Sequence, residues 1–310
     1  MPTFDKNLLE YLRCPETGEP LRLENEGLVR ETDAKVYPVT ETGIPLFAEQ
    51  FLSDDARAQQ EHYDHISIKY LEHLDYPHTK AYQEFMDSVL LDAASGAGMG
   101  AVAEICCGGG EAFKLLGNRV EYGIGVDISR NMLESARDSL DPEHFQVVQG
   151  DATSLPLKDA RFDSVFMLGG IHHVNDRLGL FREVRRILKP GGTFYWREPV
   201  SDFLLWRLLR AIIYRLSPEL DYDTESPLRY DDTVPVLKDA GLKLDSWRTL
   251  GFFGACFLLN SDVLVFNRLF RFIPGIRGLT KFAAGVDEWT LQLPGLRRAG
   301  LQVIGSAHRL

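Results

Sequence analysis

A glycine run and a set of acids stand at spacings suited to a nucleotide-like ligand. Residues 103–111 read Ala-Glu-Ile-Cys-Cys-Gly-Gly-Gly-Glu, a short apolar run that ends in glycine and opens onto a helix-like segment, Glu111 to Leu116. Strand, tight turn and helix is how an α/β protein brings backbone N–H groups close to such a ligand. Tyr122-Gly-Ile-Gly-Val-Asp127 is a second short apolar run, and it ends in an acid. Asp127 lies about 20 residues past the turn, the spacing at which a carboxylate takes a ribose diol. If an acceptor must lose a proton, imidazole is the side chain that titrates near neutral pH. His172 and His173 are adjacent, and Glu198 is a second group able to bind or deprotonate an acceptor. A His-His pair can equally serve packing alone. No Gly-x-x-x-x-Gly-Lys-Ser/Thr loop, His-Glu-x-x-His metal helix or serine nucleophile elbow is present.

These groups need a sheet to hold them. Strands are predicted at Ala101–Ile105, Tyr122–Val126, Phe145–Val148, Ser164–Leu168, Thr193–Arg197, Leu244–Leu250 and Gln302–Ala307. Helices are predicted at Glu111–Leu116, Arg130–Ser139, Arg177–Leu188 and Asp232–Ala240. The alternation implies βαβ units and an α/β fold, a Rossmann-like, mostly parallel seven-stranded sheet flanked by helices. A ligand then belongs at the carboxyl ends of the first four strands. Residues 1–50 read as a small β-rich module, 51–99 as a helical lid or linker, and 100–310 as the main domain. That domain has helical or apolar insertions at 200–232 and 252–300.

Glu104-Ile-Cys-Cys-Gly-Gly-Gly-Glu111 resembles the first motif of class I S-adenosylmethionine (SAM) methyltransferases, of the methyltransferase-11 or UbiE-like branch. Gly150-Asp-Ala-Thr-Ser-Leu-Pro-Leu-Lys-Asp-Ala-Arg-Phe-Asp163 resembles that family's segment from the adenine-contacting acid to the fourth strand. Gly170-Ile-His-His-Val174 and Ile187-Leu-Lys-Pro-Gly-Gly-Thr-Phe194 resemble its next two landmarks, in order and at the right spacing. The resemblance implies SAM as cofactor, with S-adenosyl-L-homocysteine as product, and no metal. It implies that Gly108 and Gly110 let the backbone approach, that Asp127 takes the ribose, and that Asp151 with the Ala152 N–H takes the adenine. It further implies that Ile128 and Met132 wall the adenine, that the Leu168 carbonyl meets the ammonium, and that Glu104 anchors a water or the ammonium. Tyr63-Asp-His-Ile-Ser-Ile-Lys-Tyr70 resembles the family's opening helix, so Tyr63 or Tyr70 would cover the cofactor, or pack beneath a helix. Cys106 stands where the family has its first glycine, and cysteine disfavours positive φ. A dinucleotide oxidoreductase shares the turn and the acid, but not the Asp151–Asp163 and Lys189–Gly192 segments.

Residues 1–48 resemble the Trm112-like module, opening Leu8-Leu-Glu-Tyr-Leu12 and Cys14-Pro15 and closing Tyr37-Pro38 and Gly43-Ile-Pro45. Zinc-bearing members carry paired cysteines. Only Cys14 occurs here, too few ligands for a structural zinc site. Such modules activate or stabilise methyltransferases, so this one is either a built-in activator or a simple prop. The four cysteines, Cys14, Cys106, Cys107 and Cys256, form no disulfide framework.

The chain has 310 residues, 45% hydrophobic, and a net charge of −11. That acidity speaks against a nucleic-acid partner. With no signal core and no apolar run of membrane-spanning length, a cytoplasmic location is expected. Phe203 to Leu216 and Gly251 to Ile273 are apolar and aromatic, with Arg207, Arg210, Arg215, Arg268, Arg271, Arg277 and Lys281 among or beyond them. Three uses fit: a cap or homodimer interface, the mouth of a lipophilic acceptor pocket, or peripheral membrane contact. The reading is a SAM-dependent methyltransferase of a small hydrophobic acceptor, with O-methylation favoured. The alternatives are methylation of tRNA, rRNA or protein, and a non-catalytic binding protein.

Overall fold

The computed structural model describes residues 4–24, 27–48, 57, 76–95, 99–209, 226–259 and 265–310. The N-terminal unit opens with a 3-10 helix, Lys6–Glu10, which Asp5 caps by accepting from the Asn7 N–H. Three short antiparallel strands follow in order, β1 (Leu21–Glu24), β2 (Gly27–Arg30) and β3 (Val36–Pro38). They fit the expected β-rich module, and Glu/Asn/Gly and Thr/Asp clusters separate them by breaking the apolar runs.

The main sheet contains β4 (Ala101–Ile105), β5 (Tyr122–Asp127), β6 (Phe145–Gln149), β7 (Phe162–Leu168), β8 (Leu188–Pro199), β9 (Leu242–Leu250) and β10 (Gln302–Arg309). Its order is β6-β5-β4-β7-β8-β10-β9. The first five positions are parallel, and β10 runs antiparallel between β8 and β9. The seven-stranded, mostly parallel sheet is as expected. The central strands are buried on both sides, so they read as continuous apolar runs rather than alternating ones.

Helices cover both faces. They are α1 (Pro77–Ala93), α2 (Glu111–Leu116), α3 (Arg130–Ser139), α4 (Arg177–Ile187), α5 (Tyr230–Asp239), α6 (Phe253–Leu258) and α7 (Ile276–Leu291). Ser129 caps α3 by accepting from the Met132 N–H, and Asp176 caps α4 by accepting from the Gly179 N–H. Each then buries one stripe, Met132, Leu133 and Ala136 in α3, and Leu180, Phe181, Val184 and Ile187 in α4. The core forms two layers. Ala103 and Ile105 of β4 face one with Phe181 and Phe194, while Val102 faces the other with Phe113 and Tyr82.

The N-terminal unit shares the first of these layers through Leu8, Leu12, Leu28, Tyr37 and Phe47. It also grips the segment around Asp151 by backbone bonds. The Phe47 N–H donates to the Gln149 carbonyl at 3.2 Å, and the Gln149 N–H donates to Pro45 at 2.9 Å. The Arg13 N–H donates to Pro156 at 3.0 Å, and the Lys158 N–H donates to Tyr11 at 2.7 Å. The Cys14 thiol is buried 3.1 Å from the Tyr37 hydroxyl.

The C-terminal cap is helical. Residues 204–209, α6, a 3-10 helix Val265–Phe272 and α7 build it, and α7 lies along α1. Asp287 of α7 is buried and accepts from the Phe252, Gly254 and Ala255 N–H groups and the Tyr82 hydroxyl. Tyr63 and Tyr70 lie outside the described residues.

Candidate active site

β4 ends at Ile105 and the chain then turns through three left-handed residues, Cys106 at φ 52°, Gly108 at φ 50° and Gly110 at φ 80°. Two positions require glycine. A Cβ on Gly108 would come within 3.2 Å of the Met132 methyl, and one on Gly110 within 2.7 Å of Leu140. Asp127, at the tip of β5, accepts from the Gly108 N–H at 2.8 Å and the Ser129 N–H at 2.9 Å. The acid expected to meet a sugar thus also ties the turn to the start of α3.

Glu104 is tied to the helix that follows the turn. It is 1% exposed, and its oxygens accept from the Ala112 N–H at 2.8 Å and the Phe113 N–H at 3.3 Å. It therefore caps α2 from inside β4. Burial is the largest influence on its carboxyl and pushes it up to about 8. A carboxyl raised above its unfolded value holds its proton longer in the folded chain. Its stabilising share is full below pH ~4.5 and is lost as pH rises toward 8, at a slope on the order of 1 kcal/mol per pH unit. Thermal melts from pH 5 to 8.5 should show the wild type losing stability relative to Glu104→Gln across that window. A constant difference between the two would contradict the assignment.

On the other side of the crevice, β7 ends at Leu168 beside Arg197 of β8, whose carbonyl accepts from the Gly169 N–H at 2.9 Å. Glu198 is fully buried. Its Oε1 accepts from the Gly170 and Ile171 N–H groups at 2.7 and 2.8 Å, and its Oε2 lies 2.7 Å from His172 Nδ1. With these bonds Glu198 holds the loop and orients His172. A carboxylate acceptor at Nδ1 fixes the proton there and leaves Nε2 as the basic nitrogen. The His173 ring lies against His172, tilted by 38° with ring centroids 3.9 Å apart. Sequence reasoning missed Arg197, which pairs with Asp87 of α1 and with Glu111 of α2 at 3.2 Å. Its place at the end of β8, next to a candidate acid, was the available signal.

Cys106 joins the two sides. A Cβ on Gly170 would lie 2.6 Å from the Cys106 Cβ, so the thiol side chain rests against the loop after β7. Burial first, then the charges of Asp127, Glu198 and Asp151, push that thiol well up, so it is protonated at neutral pH. Every charge that bears on it is negative. The Asp151 carboxyl is buried and accepts from the Thr153 N–H at 2.8 Å and its hydroxyl at 2.7 Å. Ala152 is half-buried beside it, and Ile128 is half-buried with its carbonyl accepting from Gln149 at 3.1 Å. Met132 is buried over Gly108. The turn thus brings together Cys106, Gly108, Gly110, Asp127 and Met132, with Asp151 and Glu198 near enough to act on the thiol. The carboxylates of Asp127, Asp151 and Glu198 suit a ligand that carries hydroxyls, amines and a positive charge. Cys106→Gly removes a side chain from a left-handed position and should raise stability by about 0.5–1 kcal/mol without loss of ligand binding. A urea titration checks this, and a lower midpoint would mean that the thiol contributes packing that outweighs the strain.

Comparison with known proteins agrees with this geometry. A family model described as a methyltransferase domain matches residues 103–196. A demethylmenaquinone methyltransferase of Staphylococcus saprophyticus is 42% identical over 94 residues, 29% of this chain and 40% of that protein. The chain therefore spans less than half the length of this curated relative. Among solved structures, a SAM-dependent methyltransferase of Thermotoga maritima superimposes with TM-score 0.52 at 20% identity, covering 80% of this chain and 98% of the other. A chain from the complex of the Haloferax volcanii Trm112 methyltransferase activator with a methyltransferase gives TM-score 0.52 and 20% identity, covering 80% and 96%. Fold and match agree: the chain has a Rossmann-like α/β fold, and residues 103–196 of it match the methyltransferase-domain model.

Proposed function

We propose that the protein is a SAM-dependent methyltransferase acting on a small hydrophobic acceptor, with oxygen as the favoured nucleophile. One observation carries the reading. The left-handed turn after β4 and the loop after β7 meet at Cys106 under the field of three carboxylates, Asp127, Glu198 and Asp151. Bound SAM supplies a methyl group activated on a positively charged sulfur. The residues here hold and orient it. Gly108 and Gly110 let the backbone come close, Asp127 accepts from the ribose hydroxyls, and Asp151 with the Ala152 N–H takes the adenine edge between Ile128 and Met132. The Leu168 carbonyl is left at the strand end for the ammonium. Positioning and exclusion of water supply most of the rate. His172 receives the acceptor's proton at Nε2, and Glu198 steadies the resulting imidazolium through Nδ1.

The staphylococcal relative is named for a demethylated menaquinone, a hydrophobic acceptor of this kind. In this reading the N-terminal unit is a Trm112-like support fused to the enzyme. It keeps Asp151 in place by holding residues 149 to 158. That unit favours a second reading, methylation of a protein or RNA, because a separate Trm112 activator accompanies the Haloferax volcanii methyltransferase. The net charge of −11 weighs against RNA. Incubation with methyl-labelled SAM and whole-cell extract separates the two. Label in the organic phase supports the small acceptor, and label confined to precipitated protein or RNA replaces it with the second reading.

A further inference from the structure

The cap carries an outward apolar face. Along α7, Ile276, Thr280, Ala284, Asp287 and Leu291 point inward and are buried. Leu279, Phe282, Val286 and Trp289 recur at three- and four-residue spacing on the outer side, with Phe282 71% and Trp289 63% exposed. Leu269 and Phe272 of the preceding 3-10 helix, Ile273 just after it, and Phe253 and Phe257 of α6 are exposed as well. A cavity of about 340 Å³ opens between them, lined by Phe253, Phe257, Ile273 and Leu279 among others. Scattered exposed leucines need no cause, but a contiguous face with Phe and Trp at its centre does.

Charge identifies the occupant. Arg271, Arg277 and Lys281 border the face in a chain whose net charge is −11. Of the acids on α7, Asp287 is buried and Glu288 is held by Arg248 at 2.7 Å. Among the described residues, Glu84 of α1 is the acid paired with the rim, 2.6 Å from Arg277 and 3.7 Å from Lys281. A second copy on this face would set its basic rim against an identical one. An anionic lipid surface opposes that rim with the complementary charge and receives aromatic and aliphatic side chains beneath it. No helix among the described residues is long and apolar enough to cross a membrane, so the contact is interfacial.

α6, which carries Phe253 and Phe257, follows directly on β9. β10 is antiparallel to both β8 and β9, so β9 runs with the parallel strands. α6 therefore leaves the sheet at the edge where β4, β5 and β7 end in the turn, Asp127 and Leu168.

We infer that the outer face of α6, the 3-10 helix and α7 docks on an anionic membrane surface and holds the crevice edge of the sheet toward it. The docking claim stands apart from the methyl-transfer reading. Flotation of the full chain with phosphatidylglycerol–phosphatidylcholine vesicles tests it. Binding is expected at low salt, falling as salt rises, with little binding to pure phosphatidylcholine. Trp289 emission should shift to the blue, and the shift should vanish in Trp289→Phe. The triple variant Phe272→Ser, Phe282→Ser, Trp289→Ser should lose at least tenfold in vesicle affinity while keeping S-adenosylhomocysteine binding. No flotation with anionic vesicles, undiminished flotation of the triple variant, or a dimer that the triple variant dissolves would overturn the inference. Loss of the nucleoside ligand in the wild type would strike the functional reading instead.

Discussion

Glu198→Ala is expected to lower the unfolding free energy by about 3–5 kcal/mol, the usual loss when one partner of a buried hydrogen-bonded charge cluster is removed. The side chain is fully buried, and it accepts from two loop N–H groups within 2.8 Å as well as meeting His172. Alanine leaves those donors without their acceptor. Glu198→Gln is the informative companion, because it keeps the shape and one acceptor oxygen. It should cost less stability, about 1–3 kcal/mol. Yet it should still cut methyl transfer, since His172 Nδ1 then faces a neutral amide and its imidazolium form loses support. Urea denaturation and turnover measured on both variants give the answer. An alanine variant as stable as the wild type would show that the loop after β7 is held by something else.

Asp127→Ala should weaken the binding of SAM and S-adenosylhomocysteine by about 1–3 kcal/mol, roughly five- to 150-fold in affinity. The ribose hydroxyls lose their acceptor, and the Gly108 and Ser129 N–H groups lose theirs, so the turn loosens as well. Because the second effect is structural, stability should fall too, by about 1 kcal/mol. Asp127→Asn separates the two, since the amide oxygen still accepts one bond while the charge is gone. Unchanged affinity in the alanine variant would place the sugar elsewhere.

Local signals made much of this legible. The turn after β4 and the acid at the end of β5 could be read because a glycine cluster and an acid at fixed spacing each follow an apolar run. β8 was longer than expected. Lys189-Pro-Gly-Gly192 reads as a turn, yet Leu188 pairs with Phe162 and the strand continues through a register shift between Phe162 and Ser164. The functions of Glu104 and Glu198 were not legible, because each is set by partners that only folding supplies. Glu104 reaches eight residues on to Ala112, and Glu198 reaches back 28 residues to Gly170. An acid inside a buried strand just before a helix start was a usable hint for the first. The grip of the N-terminal unit on residues 149–158 joins segments more than a hundred residues apart, and no periodicity reports such a contact.

Isothermal titration of the intact protein with S-adenosylhomocysteine tests the central claim most directly. Saturable one-site heat that weakens in Asp127→Ala is the predicted result. No heat at millimolar ligand, with the protein shown to be folded, would contradict the assignment of the turn and Asp127 as the cofactor cradle.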